Sequence, residues 1–259
     1  MTDRDSSPPP ALEHRAGQWA RPSEHLHAPP NLSKDDAPNI EGRRPVAPSA
    51  GFGQLWEKEY RVQLPVASSA REVTGYWKRE FGNLWPPGHR YSASLRGIQP
   101  GEVAAVELPV PGGTRLSTGV RVLFSGDTSF TLETSEGHMF AGWIQSSVDG
   151  DPGELTARVL VVMRANDPLY ELGLRLGGHK REDEFWSHSL RELAEHFGAP
   201  PRVSVRHRLI DPKVRWRAIG NVRKNAWLHT LAHGSTLPAR RLVRRFRGQP
   251  AQEPSDLER

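Results

Sequence analysis

Eleven histidines and no cysteine set the terms for any chemistry in this 259-residue chain. Without thiols, disulfides, thiolate metal sites and cysteine nucleophiles are excluded, as in chains of a reducing compartment. His229 and His233 stand four apart, the spacing of two metal ligands on one helix face, but they lie in a basic segment with no nearby acid. No metal and no other cofactor is expected. A serine hydrolase would need a G-x-S-x-G elbow, which the chain lacks. Gly112-Gly113 and Gly177-Gly178 have no following Gly or Lys at phosphate-cradling spacing and read as turns. The remaining acid–base candidate is His138, directly after Gly137, because an imidazole changes charge near neutral pH. The competing reading makes it a loop residue bonded to backbone. His89, Glu107 and Arg121 can join it only if they face one interior.

The elements that must position such groups are legible from periodicity. Tyr60, Val62 and Leu64 alternate with Arg61 and Gln63, a strand ended by Pro65. Ser69 and Glu72 have the spacing of a capping box, and Val73, Trp77 and Phe81 repeat every four residues behind it, which predicts a helix over 69–81. Six strands follow, around Tyr91–Leu95, Val103–Leu108, Val120–Phe124, Phe130–Leu132, Trp143–Val148 and Glu154–Arg164. They are separated by turn residues, so the sheet is antiparallel. Over 143–148 the alternation leaves open which set faces inward. Asn166 or Asp167 caps a short helix opened by Pro168. Trp186, Leu190, Leu193 and Phe197 then form the stripe of a long helix that stops at Gly198. The fold class is α+β.

Composition divides the chain further. Residues 1–50 carry nine prolines and isolated aliphatics, too little apolar surface to offset ordering, and read as a disordered arm in which Trp19 has no role. Residues 51–198 hold the domain. Between 201 and 248 thirteen Lys or Arg face the single Asp211. Val203, Val205 and Leu209 there suggest a strand, and Val214, Ile219, Val222, Ala226 and Leu231 suggest a helix bordered by Trp216 and Trp227. This 199–248 extension fits a helix packed on the domain or an anionic membrane surface met by Arg215, Arg217, Arg223, Lys224, Arg240, Arg241, Arg244 and Arg245; nucleic acid fits less well. Residues 249–259 read as a disordered tail. No stretch has the length of a membrane span or the h-region of a signal peptide, so the expected place is the cytoplasm, with peripheral membrane contact open.

Strand, helix, six antiparallel strands and a long helix is an order that resembles the helix-grip fold of the START-like (SRPBCC, Bet v 1-like) superfamily. Within it, EGHMFAGWIQ and GELTARVLVVMRANDPLYELGLRLGG resemble the DUF1990 type of uncharacterised bacterial protein. The resemblance implies a curved sheet of about seven strands around the C-terminal helix, with a cavity for lipids, polyketides or other apolar molecules. Tyr91, Phe124, Phe130, Trp143, Met163, Trp186 and Leu190 are the expected ligand wall or, equally, core filling. The expected function is non-enzymatic binding or carriage of such a molecule. The alternatives are a cyclase or dehydratase using His138, or an adaptor docking through its basic extension. The residues leave oligomeric state open.

Overall fold

The computed structural model describes residues 17–32, 39–109 and 115–231. Nine strands form one antiparallel sheet: β1 (Pro45–Val46), β2 (Leu55–Leu64), β3 (Arg90–Ala93), β4 (Val103–Pro109), β5 (Arg115–Ser125), β6 (Ser129–Ser135), β7 (Phe140–Asp149), β8 (Leu155–Ala165) and β9 (Val203–Asp211). The order is β3-β4-β5-β6-β7-β8-β2-β9. β7 pairs β6 as far as Glu133 and Trp143, and β1 takes the two positions beyond, at Thr134 and Ser135. The expected seven strands are all present. β1 and β9 come from the segments that the sequence placed outside the domain.

Three helices complete the fold: α1 (Ala70–Glu80), α2 (Pro168–Gly173) and α3 (His179–His196). α1 carries the full capping box of Ser69 and Glu72, and Asp167 caps α2 by accepting from Leu169 N and Tyr170 N. α2 passes into α3 through a kink in which Gly177, at φ 111°, takes a conformation that favours glycine. One sheet face, bearing Tyr60, Val62, Val122, Phe130, Leu132, Val159, Val161 and Met163, packs with Trp77 and Phe81 of α1 and with Trp186, Leu190 and Leu193 of α3 in a single core. This is the helix-grip arrangement.

The opposite face is covered as well, which corrects the reading of residues 1–50 as a disordered arm for its described parts, 17–32 and 39–50. Leu26 and Ile40 are buried with Ala105 in a second cluster, and Val46 is buried in β1. Ile40 fits because Gly119 has no side chain: a Cβ there would lie 3.0 Å from Ile40 Cγ1. Too few apolar residues to make a core of their own are enough to dock on a finished sheet. Trp19, expected to have no role, bridges to Phe124 with ring centroids 4.8 Å apart.

The extension joins this outer layer. After β9 the chain forms a 3-10 segment, Trp216–Lys224, and a helical turn at 226–231. Asn39 Nδ2 donates to Ser117 O at 2.8 Å and to Ala226 O at 3.3 Å, and Ala226 N donates to Gly137 O at 2.9 Å. Arg164, nearly fully buried, donates to Gly53 O at 2.6 Å, to Lys213 O at 3.0 Å and to Asp211 Oδ2 at 2.5 Å, fastening the end of β8 to the chain beyond β9.

Gly137 lies directly against the extension. It sits at φ 85°, and a Cβ would come within 2.1 Å of Lys224 O. Gly137→Ala should therefore lower stability by about 1–3 kcal/mol from the backbone alone. It should also raise amide hydrogen exchange over 224–230, while leaving exchange in α3 unchanged.

Candidate functional site

The charged groups between sheet and helix meet at one place. Along β2 the inward positions are Trp56, Lys58, Tyr60, Val62 and Leu64, so the alternation that buries the last three also buries Lys58. An ammonium taken out of water needs counter-charge, and the first turn of α3 supplies it. Lys58 Nζ lies 2.9 Å from Glu182 Oε2 and 3.0 Å from Asp183 Oδ1, and donates to His179 O at 3.3 Å. Tyr60 OH donates to the same Asp183 Oδ1 at 2.8 Å, and His207 Nε2 of β9 lies 3.0 Å from it. The His179 ring stacks edge-on against Trp56 at 4.9 Å, and its buried Nδ1 has no partner in the protein.

Burial and charge act against each other in this group. Burial lifts the Glu182 carboxyl to about 7 despite the neighbouring ammonium. Asp183 is also disfavoured by burial, but bonds from Tyr60 and Lys58 outweigh it and hold the carboxyl below its usual value. Burial and the Lys58 charge push His179 down to about 4, and burial raises the Tyr60 phenol. The result is an anionic Asp183 with three donors, a Glu182 that shares a proton near neutrality, and a neutral His179. Such a group can anchor a helix to a sheet or exchange a proton with a molecule entering between them.

The aromatic groups gather just beyond this charged group along α3, around Phe185 and Trp186. Trp85 and Tyr91 lie 5.4 Å apart, Phe81 and Tyr91 5.1 Å, Trp85 and Phe185 5.0 Å, and Phe185 and Trp186 4.8 Å between ring centroids. Tyr91 OH and Trp85 Nε1 are buried with no protein partner. Two more inward polar atoms share that condition, Thr118 Oγ1 on β5 and Ser146 Oγ on β7.

Of the seven expected ligand-wall residues, Tyr91, Phe130, Met163, Trp186 and Leu190 belong to or pack on the inner core. Phe124 and Trp143 do not. A bulge between Val122 and Phe124 breaks the alternation, so Phe124 pairs with Thr131 and turns to the outer face against Trp19. Trp143 pairs with Glu133 and Val162 on the outer face and is 37% exposed, while Ile144, Ser146 and Val148 point inward.

His138 is also away from the interior. It lies in the β6–β7 turn under Ala226, buried, with Nδ1 accepting from Phe140 N at 2.9 Å; burial lowers it to about 4. It is thus a neutral structural imidazole at physiological pH. Glu107 and Arg121 face outward, paired with Arg115 and Glu133, whereas His89 lies against Phe185 with Nδ1 3.1 Å from Pro86 O.

In the extension, Arg215 donates to Ser49 O at 2.9 Å and Lys224 Nζ lies 2.6 Å from Glu136 Oε1, so both serve packing. Arg217 and Arg223 are exposed. Arg240, Arg241, Arg244, Arg245 and His233 fall outside the described residues. Among the described residues no cluster of three His, Asp or Glu could hold a metal ion, and no helix is long and apolar enough to cross a membrane.

A cleft of about 620 Å³ opens on the outer face between residues 20–25 and the sheet and includes Arg21, Arg44, Arg121, Glu24 and Glu133. Arg121 and Arg44 are neutralised by Glu133 and Glu136, so it carries little free charge and reads as the seam between the docked N-terminal segment and β5.

No protein-family model and no curated protein matches the chain. Among solved structures it is similar to the di-domain ARO/CYC StfQ from the steffimycin biosynthetic pathway, at 11% identity over 56% of this chain and 50% of that one, with a TM-score of 0.44. It is also similar to Ara h 8.0201 (12% identity, 55% and 97% of the two chains, TM-score 0.38) and to the major latex-like protein 151 of Panax ginseng (13%, 56% and 99%, 0.38). The alignment thus spans about half the length of StfQ. The fold itself is read from the sheet order and the packing of α3.

The sequence reading missed Lys58, Tyr60 OH, Glu182 and Asp183, although a signal was present. A lysine at an inward position of an apolar strand requires a carboxylate partner, and three consecutive acids, Glu182, Asp183 and Glu184, lie near the start of the helix that follows the sheet.

Lys58→Met should lower stability by about 3–5 kcal/mol, because it strands two carboxylates. The double variant Lys58→Met, Glu182→Met should recover most of that loss in urea denaturation.

The pH dependence has a definite sign. His138 and His179 stay neutral in the fold down to about 4, while their unfolded forms protonate near 6.5, so each contributes stability that is lost as pH falls from 6.5 towards 4. Glu182 works oppositely between about 7 and 4.5. His138→Asn should flatten the acid limb of stability measured by denaturation across that window.

Proposed function

We propose that this protein binds a small amphipathic molecule between the inner sheet face and α3, without carrying out a reaction on it. The observation that supports this reading is a set of buried, unpartnered polar atoms among the apolar groups of the inner side, besides the charged group around Lys58. Trp85 Nε1, Tyr91 OH, Thr118 Oγ1 and Ser146 Oγ have no protein partner, and leaving such groups unpaired costs about 1–3 kcal/mol each. A wall that fills a core is better served by Phe, Val and Ala at these positions. A wall that meets a ligand's oxygen or nitrogen atoms needs donors and acceptors, widely spaced, among rings.

The aromatic rings touch one another, so a guest must part them. The kink at Leu176 and Gly177, directly ahead of α3, is the backbone segment suited to that movement. The ligand class is lipid-like or polyketide-like in size and apolarity, with polar atoms along its length. The resemblance to START-like proteins, and within them to the DUF1990 type, belongs to this proposal. A cyclase or dehydratase role through His138 draws no support from a buried neutral imidazole held under the extension.

The test is solvent extraction and mass spectrometry of the full chain purified from cells, followed by variants. Tyr91→Phe, Thr118→Val and Ser146→Ala should each keep or raise the melting temperature of the unliganded protein while lowering the co-purifying ligand. A protein that yields no small molecule, and whose variants lose stability, would refute the proposal.

A further inference from the structure

α2 and the segment 216–231 form one layer. Asn221 Nδ2 donates to Asn166 O at 2.8 Å, Asn225 Nδ2 to Asp167 Oδ2 at 2.7 Å and Trp227 N to Tyr170 OH at 3.2 Å. These three contacts tie the inward side of the layer together. Its outward side chains are large and apolar. Leu169, Leu172 and Leu176, spaced i, i+3 and i+7, are 41%, 55% and 78% exposed, and Trp216 and Ile219 are 68% and 50% exposed. Single exposed leucines are ordinary, but five large apolar groups on two adjoining segments mark a surface with a partner.

The charges around them choose the partner. Glu171 is tied to Arg175, Glu136 to Lys224 and Arg44, and Asp167 is buried, so the acids of this layer are neutralised. Arg217 and Arg223 are exposed and have no ion-pair partner among the described residues. The chain then continues into ARRLVRRFR at 239–247, which adds five arginines and no acid. A second copy would bring this positive rim against itself. Nucleic acid would meet the arginines but leave the leucines in water.

From these observations we infer that this layer docks on an anionic phospholipid surface. Leu169, Leu172, Leu176, Trp216 and Ile219 enter the headgroup–acyl boundary, and Arg217 and Arg223 meet lipid phosphates. The inference is independent of any ligand held inside the sheet.

Flotation of the full chain with vesicles tests it. The protein should float with equimolar phosphatidylcholine–phosphatidylglycerol vesicles, and remain below with phosphatidylcholine alone or in high salt. Leu172→Asp and Trp216→Ser should each lower partitioning roughly tenfold. Both positions are exposed, so the melting temperature should be unchanged; Leu176→Asn serves as a second replacement if Leu172→Asp melts early. The idea is overturned if binding is equal on both vesicle types, or if the leucine and tryptophan variants float as the parent does. It is equally overturned if the chain binds a random-sequence RNA but no vesicle, or if Leu172→Asp instead abolishes a dimer seen by sedimentation.

Discussion

A lysine ammonium buried on the inner face of a sheet dictates much of what surrounds it. Lys58 cannot remain charged in an apolar interior without carboxylates, and Glu182 and Asp183 reach it only if α3 begins against the middle of β2. That placement sets the register in which Trp186, Leu190 and Leu193 descend onto the sheet. It also explains why β9 belongs to the fold: His207 adds a further contact to Asp183, and β9 pairs β2 from Val203 to Asp211. An ion pair of this kind adds little net stability over a well-packed apolar substitute, and its value is to specify one arrangement of helix on sheet.

The outer face obeys a different constraint. Ala105, Ser117, Gly119 and Ser135 give the strands a shallow surface, and the flanking segments fill it with a few well-placed groups such as Ile40 and Asn39. Leu26 and Ile40 supply the apolar contact; Asn39, Asn221 and Asn225 supply hydrogen bonds to carbonyls, an asparagine and a carboxylate.

Local chemistry was legible wherever a signal is local. The capping box of α1, the Asp167 cap of α2 and the four-residue stripe of α3 all stand as the sequence reads them. Strand existence was legible as well, but strand facing was not always so. The bulge after Val122 inverts Phe124 with no mark in composition, and in β7 the larger aromatic, Trp143, lies outside while the serine at 146 lies inside. Partnerships between distant segments were the least visible. Isolated Leu26 and Ile40 look solvated when averaged over fifty residues, because the surface that receives them, at Val103 and Ala105, is built only in β4. His138 shows the converse: its residue type suggests chemistry, and only its burial under Ala226 shows a structural part.

The hydrogen bonds from Asn39 to Ala226 and Thr230 span 187 and 191 residues. As a nascent chain leaves the ribosome, β2 to β8 with α1 can assemble, and Leu26, Ile40 and β1 can dock on them, while Ala226 and Thr230 are still unmade. The 216–231 part of the outer layer is therefore the last to close. Contacts of such long range form slowly. For this molecule the vulnerable interval in biogenesis lasts until residues 226–230 have emerged to meet Asn39.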